Sequence, residues 1–161
     1  MGFISQCFMK IKLSGVNSLT VARYAAGVSL DFIGFSLRSN DQQSLKPKQI
    51  LEILTWVVGP KIILEIDDNH LHDLDEFQNM FHPYAFELIS SQNHPKFWTK
   101  NEKYIASPSD GIFYELSNPG EISSLKKGEG IHLYAPQESE TGILNFDSFD
   151  RLIAEIRIAD Q

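Results

Sequence analysis

The sequence holds a single cysteine, Cys7, so neither an intramolecular disulfide nor a cysteine-based zinc site can form. That usage fits a reducing compartment. Positive charge is also scarce: 14 Lys and Arg face 21 Asp and Glu, for a formal charge of -7. Such a balance repels phosphate backbones and anionic headgroups, which excludes non-specific binding to nucleic acid or to an acidic membrane. No apolar run reaches the length of a membrane span. The stretch Met1 to Gln6 has no basic n-region, and its sixth residue is not the Ser or Thr that myristoylation favours. A soluble, cytoplasmic protein is expected. There is no Walker loop, no G-x-G-x-x-G fingerprint and no nucleophile elbow, and no cofactor is expected.

What is present fits one globular domain over residues 1–161, with 42% hydrophobic and 22% charged residues. Short apolar runs alternate with stretches of helical period. Strands are expected at Phe8 to Leu13, Asp31 to Leu37, Lys61 to Ile66, Tyr84 to Ile89, Lys103 to Ala106, Gly111 to Leu116 and Gly130 to Ala135. Helices are expected from Ser18 to Ala26, Lys48 to Val58 after Pro47, Leu71 to Phe81, Pro119 to Lys126 and Phe146 to Ala159. Ser90 to Lys100 supports at most a turn of helix. Repeated strand–helix units imply a parallel sheet, either open or closed into a barrel. A full eightfold barrel usually needs about 200 residues or more. A barrel here would therefore be shortened, with about seven strands and reduced elements around residues 90–110.

Two stretches favour the barrel. The first runs Lys12-Leu13-Ser14-Gly15-Val16-Asn17, then Ala25-Ala26-Gly27-Val28 and Asp31-Phe32-Ile33-Gly34-Phe35. The second runs Ser117-Asn118-Pro119-Gly120-Glu121-Ile122, then Gly130-Ile131-His132-Leu133 and Glu138-Ser139-Glu140-Thr141-Gly142. In order and spacing they resemble phosphoribosylanthranilate isomerase, which writes K-I-C-G-(I/V)-T, G-A-D and G-F early and G-L-N-P-E-N-V, G-V-D-V and E-x-x-P-G late. The resemblance covers about two thirds of the chain. It implies a TIM-type parallel (β/α) barrel and an Amadori rearrangement of N-(5-phosphoribosyl)anthranilate in tryptophan biosynthesis.

The departures from that pattern bear on function. Ser14 stands where the family has its general-base cysteine, and an alkoxide is far less accessible than a thiolate at neutral pH. Ser14 could act as a base only beside a second base, and none is evident in sequence. No aspartate follows a strand where the family's general acid belongs; Asp110 precedes its strand. Glu115 and Leu116 replace the paired glycines that bring backbone N–H groups to the phosphate. Tyr134-Ala135-Pro136 replaces a small Ser-Gly loop and removes a donor. Gln43 takes the place of the family's arginine before the second helix.

Three strands end alike, in Leu64-Glu65-Ile66, Phe86-Glu87-Leu88 and Tyr114-Glu115-Leu116. With a side-chain period of two, the three glutamates are expected to point into the barrel near its mouth. Lys12 would share their face and His132 would approach from the last strand. Two explanations stand side by side. Lys12 and polar neighbours neutralise the carboxylates structurally, or Glu65, Glu87, Glu115 and His132 form a new acidic site for a metal, a cation or a polyhydroxyl ligand. The run from Asp67 to Asp73 reads as helix capping rather than metal ligation. His82, His94 and Trp98 read as surface loop.

Three functions therefore remain open. The chain is an isomerase-like barrel without ordinary isomerase activity, an active isomerase using Lys12 and Ser14, or a protein with new chemistry at an acidic mouth. A small-molecule ligand and self-association through incompletely covered strand edges are expected.

Overall fold

Glycine, serine and proline punctuate the chain into alternating strands and helices. The computed structural model describes residues 9–89, 96–99, 104–105, 113–115, 130–136 and 145–161. The elements are β1 (Lys10–Ser14), α1 (Leu19–Gly27), β2 (Phe32–Ser36), α2 (Pro47–Leu54), β3 (Lys61–Ile66), α3 (Leu74–Phe81), β4 (Ala85–Leu88), β5 (Lys96–Thr99), β6 (Tyr104–Ile105), β7 (Phe113–Glu115), β8 (Gly130–Tyr134) and α4 (Asp147–Ala159). Ser18 caps α1, its hydroxyl accepting from Val21 N–H at 3.3 Å. Pro47 opens α2, while the Gln49 side chain accepts the Lys46 N–H at 2.9 Å. The start expected for the third helix at Leu71 is instead a 3-10 turn, Asp68–Asp73, with α3 following it. His82 ends α3 in the left-handed region at φ 47.

One sheet joins all the strands in the order β6-β5-β4-β3-β2-β1-β8-β7. From β4 through β3, β2, β1 and β8 to β7 every pairing is parallel. The expected β/α organisation is thus observed. The region around 90–110 differs from the rest: β5 lies antiparallel to β4, and β6 antiparallel to β5. The strand at Lys96–Thr99 corrects the expectation of at most a turn of helix, because KFWT finds a partner in β4 rather than in its own neighbours. The helix expected at 119–126 lies outside the described residues.

The two faces of the parallel sheet differ in chemistry. Ile11, Leu13, Ile33, Phe35, Leu64, Ile66, Phe86, Leu88, Ile131 and Leu133 form one continuous core with Val21, Ala22, Ala25, Ile50, Ile53, Phe77, Phe81, Ile153 and Ile156 from the helices. This is the helix-covered face. The alternate residues, Lys12, Ser14, Gly34, Ser36, Glu65, Glu87 and His132, belong to the opposite face. There buried polar and charged side chains sit beside the buried apolar Phe32, Ile63 and Ala85 of the same face.

The last helix secures the first strand. Both Asp160 carboxylate oxygens accept the Met9 N–H, at 2.9 and 2.8 Å. Arg157 donates to the carbonyls of Met9, at 3.4 Å, and Ser29, at 3.2 Å.

Candidate functional site

The strand register brings the acidic and basic side chains to one level. Lys12 is aligned with His132, and Glu65 with Glu87. Lys12 is fully buried, yet its Nζ lies 2.8 Å from Glu65 Oε1 and hydrogen-bonds Glu87 Oε2. Both glutamates are themselves buried. Gly34 makes this possible. A Cβ there would stand 2.9 Å from Glu65 Cδ and 3.0 Å from Lys12 Cε, so any larger residue would occupy the space of the ion pair.

The charges settle one another. Burial works against the ammonium of Lys12, but the carboxylates of Glu65 and Glu87 outweigh it and raise its pKa. Burial likewise opposes ionisation of Glu65, and the Lys12 ammonium overrides it, holding that carboxyl below its ordinary value. Glu87 goes the other way. Burial, joined by the charge of Glu65, exceeds the pull of Lys12 and raises its pKa. Of the two carboxyls, Glu87 is therefore the one that keeps its proton to higher pH. His132 is pushed down to about 3, first by burial and then by Lys12. At neutral pH its imidazole is uncharged.

Around this cluster lie buried atoms short of partners. Ser14 Oγ sits near the Glu65 carboxylate and favours its ionised form, but the contact falls short of hydrogen-bond geometry. His132 Nε2 and Arg38 Nε are buried without a hydrogen-bond partner. Arg38 follows β2, pairs with Asp41 at 2.5 Å and adds a positive field at Glu87. Next to it, the Asn17 side-chain amide donates to Gln43, joining the loops after β1 and β2.

Among the residues singled out in the sequence, Lys12, Ser14, Glu65, Glu87 and His132 come together. Glu115 is aligned with His132 in the β7–β8 register, and its side chain lies outside the described residues, as do Leu116 and the segment 117–121. Ala135 N–H, in the loop after β8, donates to the Ser14 carbonyl at 2.8 Å. Asp67 caps its turn as expected, accepting from Ser39 N–H at 2.9 Å and Asn69 N–H at 3.1 Å. Among the described residues no group of three or more His, Cys, Asp or Glu is placed to hold a metal ion. Gly34 and Arg38 were not foreseen. A glycine inside an apolar strand and the first charged residue beyond a strand end were the signals available.

Comparison with solved structures places the fold. The chain is similar to phosphoribosyl anthranilate isomerase from Thermus thermophilus, with a TM-score of 0.68 and 14% identity over 93% of this chain and 99% of that one. It is similar to the Thermotoga maritima enzyme, with a TM-score of 0.68 and 11% identity over the same 93% and 99%. For N-(5'-phosphoribosyl)anthranilate isomerase from Pyrococcus furiosus the TM-score is 0.55, with 14% identity over 94% and 98%. Another similar isomerase structure is a complex with reduced 1-(o-carboxyphenylamino)-1-deoxyribulose 5-phosphate, and the Thermotoga maritima enzyme is described as dimeric. No family model and no curated protein matches the sequence. The fold is that of the isomerase: a shortened TIM-type α/β barrel.

Proposed function

We propose that this chain keeps the isomerase-like barrel while having lost ordinary isomerase chemistry, its interior being given over to a buried Lys12–Glu65–Glu87 ion cluster. The observation that carries this reading is the placement of Lys12. Its ammonium is committed to two buried carboxyls and is not presented to a phosphorylated substrate. Ser14, at the family's cysteine position, has two candidate bases in this cluster, Glu65 and His132, and the Glu65 carboxylate is tied to Lys12 and held below its ordinary pKa. An imidazole that titrates at about 3 is a poor proton acceptor at neutral pH. The Ala135 amide, spent on the Ser14 carbonyl, further weakens the case for an anion site in that loop.

The test is an assay of the purified full chain with N-(5-phosphoribosyl)anthranilate. No turnover above background is expected, and Ser14→Cys is expected not to restore it, since one thiol replaces neither the acid nor the phosphate site. Turnover abolished by Ser14→Ala would overturn the reading. A cytoplasmic location and self-association accompany the proposal. Trp56 and Val58, exposed at 67% and 91% at the end of α2, are apolar surface that self-association would cover.

A further inference from the structure

We infer that the mouth of this barrel binds a neutral polyhydroxylated molecule, a sugar or polyol without phosphate, through Ser14, Arg38, Glu65 and His132. The inference rests on the reading that phosphate recognition has been lost, and it names what the altered mouth takes instead. Among the described residues four buried side-chain N or O atoms have neither a hydrogen bond nor an ion pair: Ser14 Oγ, Arg38 Nε and His132 Nε2 in the barrel, and Gln78 Nε2 on α3. Glu65 Oε1 makes no hydrogen bond of good geometry but lies 2.8 Å from Lys12 Nζ, its ion-pair partner. Buried polar atoms are nearly always paired, because each unmet one costs about 1–3 kcal/mol. Ser14 ends β1 and Arg38 lies just beyond β2, at the strand C-termini where barrels of this kind gather their ligand contacts, with His132 one layer deeper in β8.

The chemistry of the four mouth atoms selects the class of ligand. Arg38 Nε can only donate, and Glu65 Oε1, ion-paired with Lys12 but with lone-pair directions to spare, can only accept while ionised. Ser14 Oγ can do both, and neutral His132 offers Nε2 as donor or acceptor according to its tautomer. A hydroxyl group donates and accepts at once, so adjacent hydroxyls on one carbon chain answer this mixed set. A carboxylate or a fully ionised phosphate group would not, since it only accepts. Lys12 is already paired with Glu65 and Glu87, and Arg38 with Asp41, so little positive charge remains to compensate one. Ser14 and His132, 2% and 9% exposed, are both nine-tenths buried. The Tyr134 ring, half exposed and 4.6 Å from the His132 ring, supplies an apolar face at the rim for the C–H side of a sugar.

The experiment is a titration of the full chain, followed by histidine-selective NMR and calorimetry, with D-ribose, ribitol and D-ribose 5-phosphate as probes. Saturable binding of ribose or ribitol that shifts the His132 ring signals is expected, with weaker binding of the phosphorylated sugar. Ser14→Ala, a small change within the mouth, should weaken the neutral probe about tenfold, the effect of one lost hydrogen bond. His132→Asn, monitored by calorimetry alone, serves as the second variant should Ser14→Ala fold poorly. Absence of any saturable shift with the neutral probes would overturn the inference and leave the lost-isomerase reading standing. Tighter binding of ribose 5-phosphate than of ribose would overturn the inference and show that phosphate recognition is kept.

Discussion

Lys12 holds together a group of side chains that could not be buried without it. Removing it leaves two carboxyls facing each other out of water, and breaking such a pair costs about 3–5 kcal/mol. Lys12→Met is therefore expected to lower the unfolding free energy by that amount, read as a fall in the urea midpoint at unchanged m. Glu87→Gln, which replaces the carboxyl already inclined to keep its proton, should cost only about 1 kcal/mol. Equal losses in the two variants would show that the cluster is solvated. His132 sets the behaviour in acid. Its folded pKa is lowered from 6.5 to about 3, so below pH 6.5 the unfolded chain takes up a proton that the folded chain refuses. Stability is full above that value and declines as pH falls towards 3, by up to roughly 1.4 kcal/mol per pH unit. Glu65, with its lowered pKa, adds to the same decline at lower pH. His132→Phe should flatten the upper part of the acid limb, between about pH 6 and 5, in a series of thermal melts.

Between strands, the cluster depends on a gap in β2. Gly34→Ala would bring a methyl within 2.9 Å of Glu65 Cδ, and overpacking of this kind costs about 1–3 kcal/mol. The penalty should vanish in a Glu65→Ala background, and a double-mutant cycle reads the difference. The alternation that forms the cluster was plain in the sequence. KIKLS, KIILEI and AFEL each set a charged residue between apolar ones, so the inward position of Lys12, Glu65 and Glu87 followed from a period of two. Gly34 was less legible, because its role depends on side chains from β1 and β3 that only the fold brings opposite it. The strand KFWT was invisible for a similar reason: four residues without a clear alternation become a strand through antiparallel pairing with β4. Arg38 lies beyond a strand end, where periodicity says nothing about direction.

At the scale of the molecule, the last helix is tied to the first strand across most of the described chain. Asp160 accepts the Met9 N–H across a separation of 151 residues, and Asp160→Ala leaves that buried donor unmet. A loss of about 1–3 kcal/mol is expected. Hydrogen exchange should locate it in β1 and α4, and a loss spread evenly over α2 and α3 would contradict the assignment. The parallel barrel was legible at this scale because strand–helix alternation runs through most of the chain. The staple was not, since a single carboxylate near a helix end reads as solvated surface. The order of β1 and its neighbours has a further consequence. β1 pairs on one side with β2, made soon after it, and on the other with β8, made among the last. A nascent chain on the ribosome thus carries an unsatisfied strand edge through most of its synthesis. Chaperones that shield such an edge would govern how much protein a cell recovers more than how firmly the finished protein holds together.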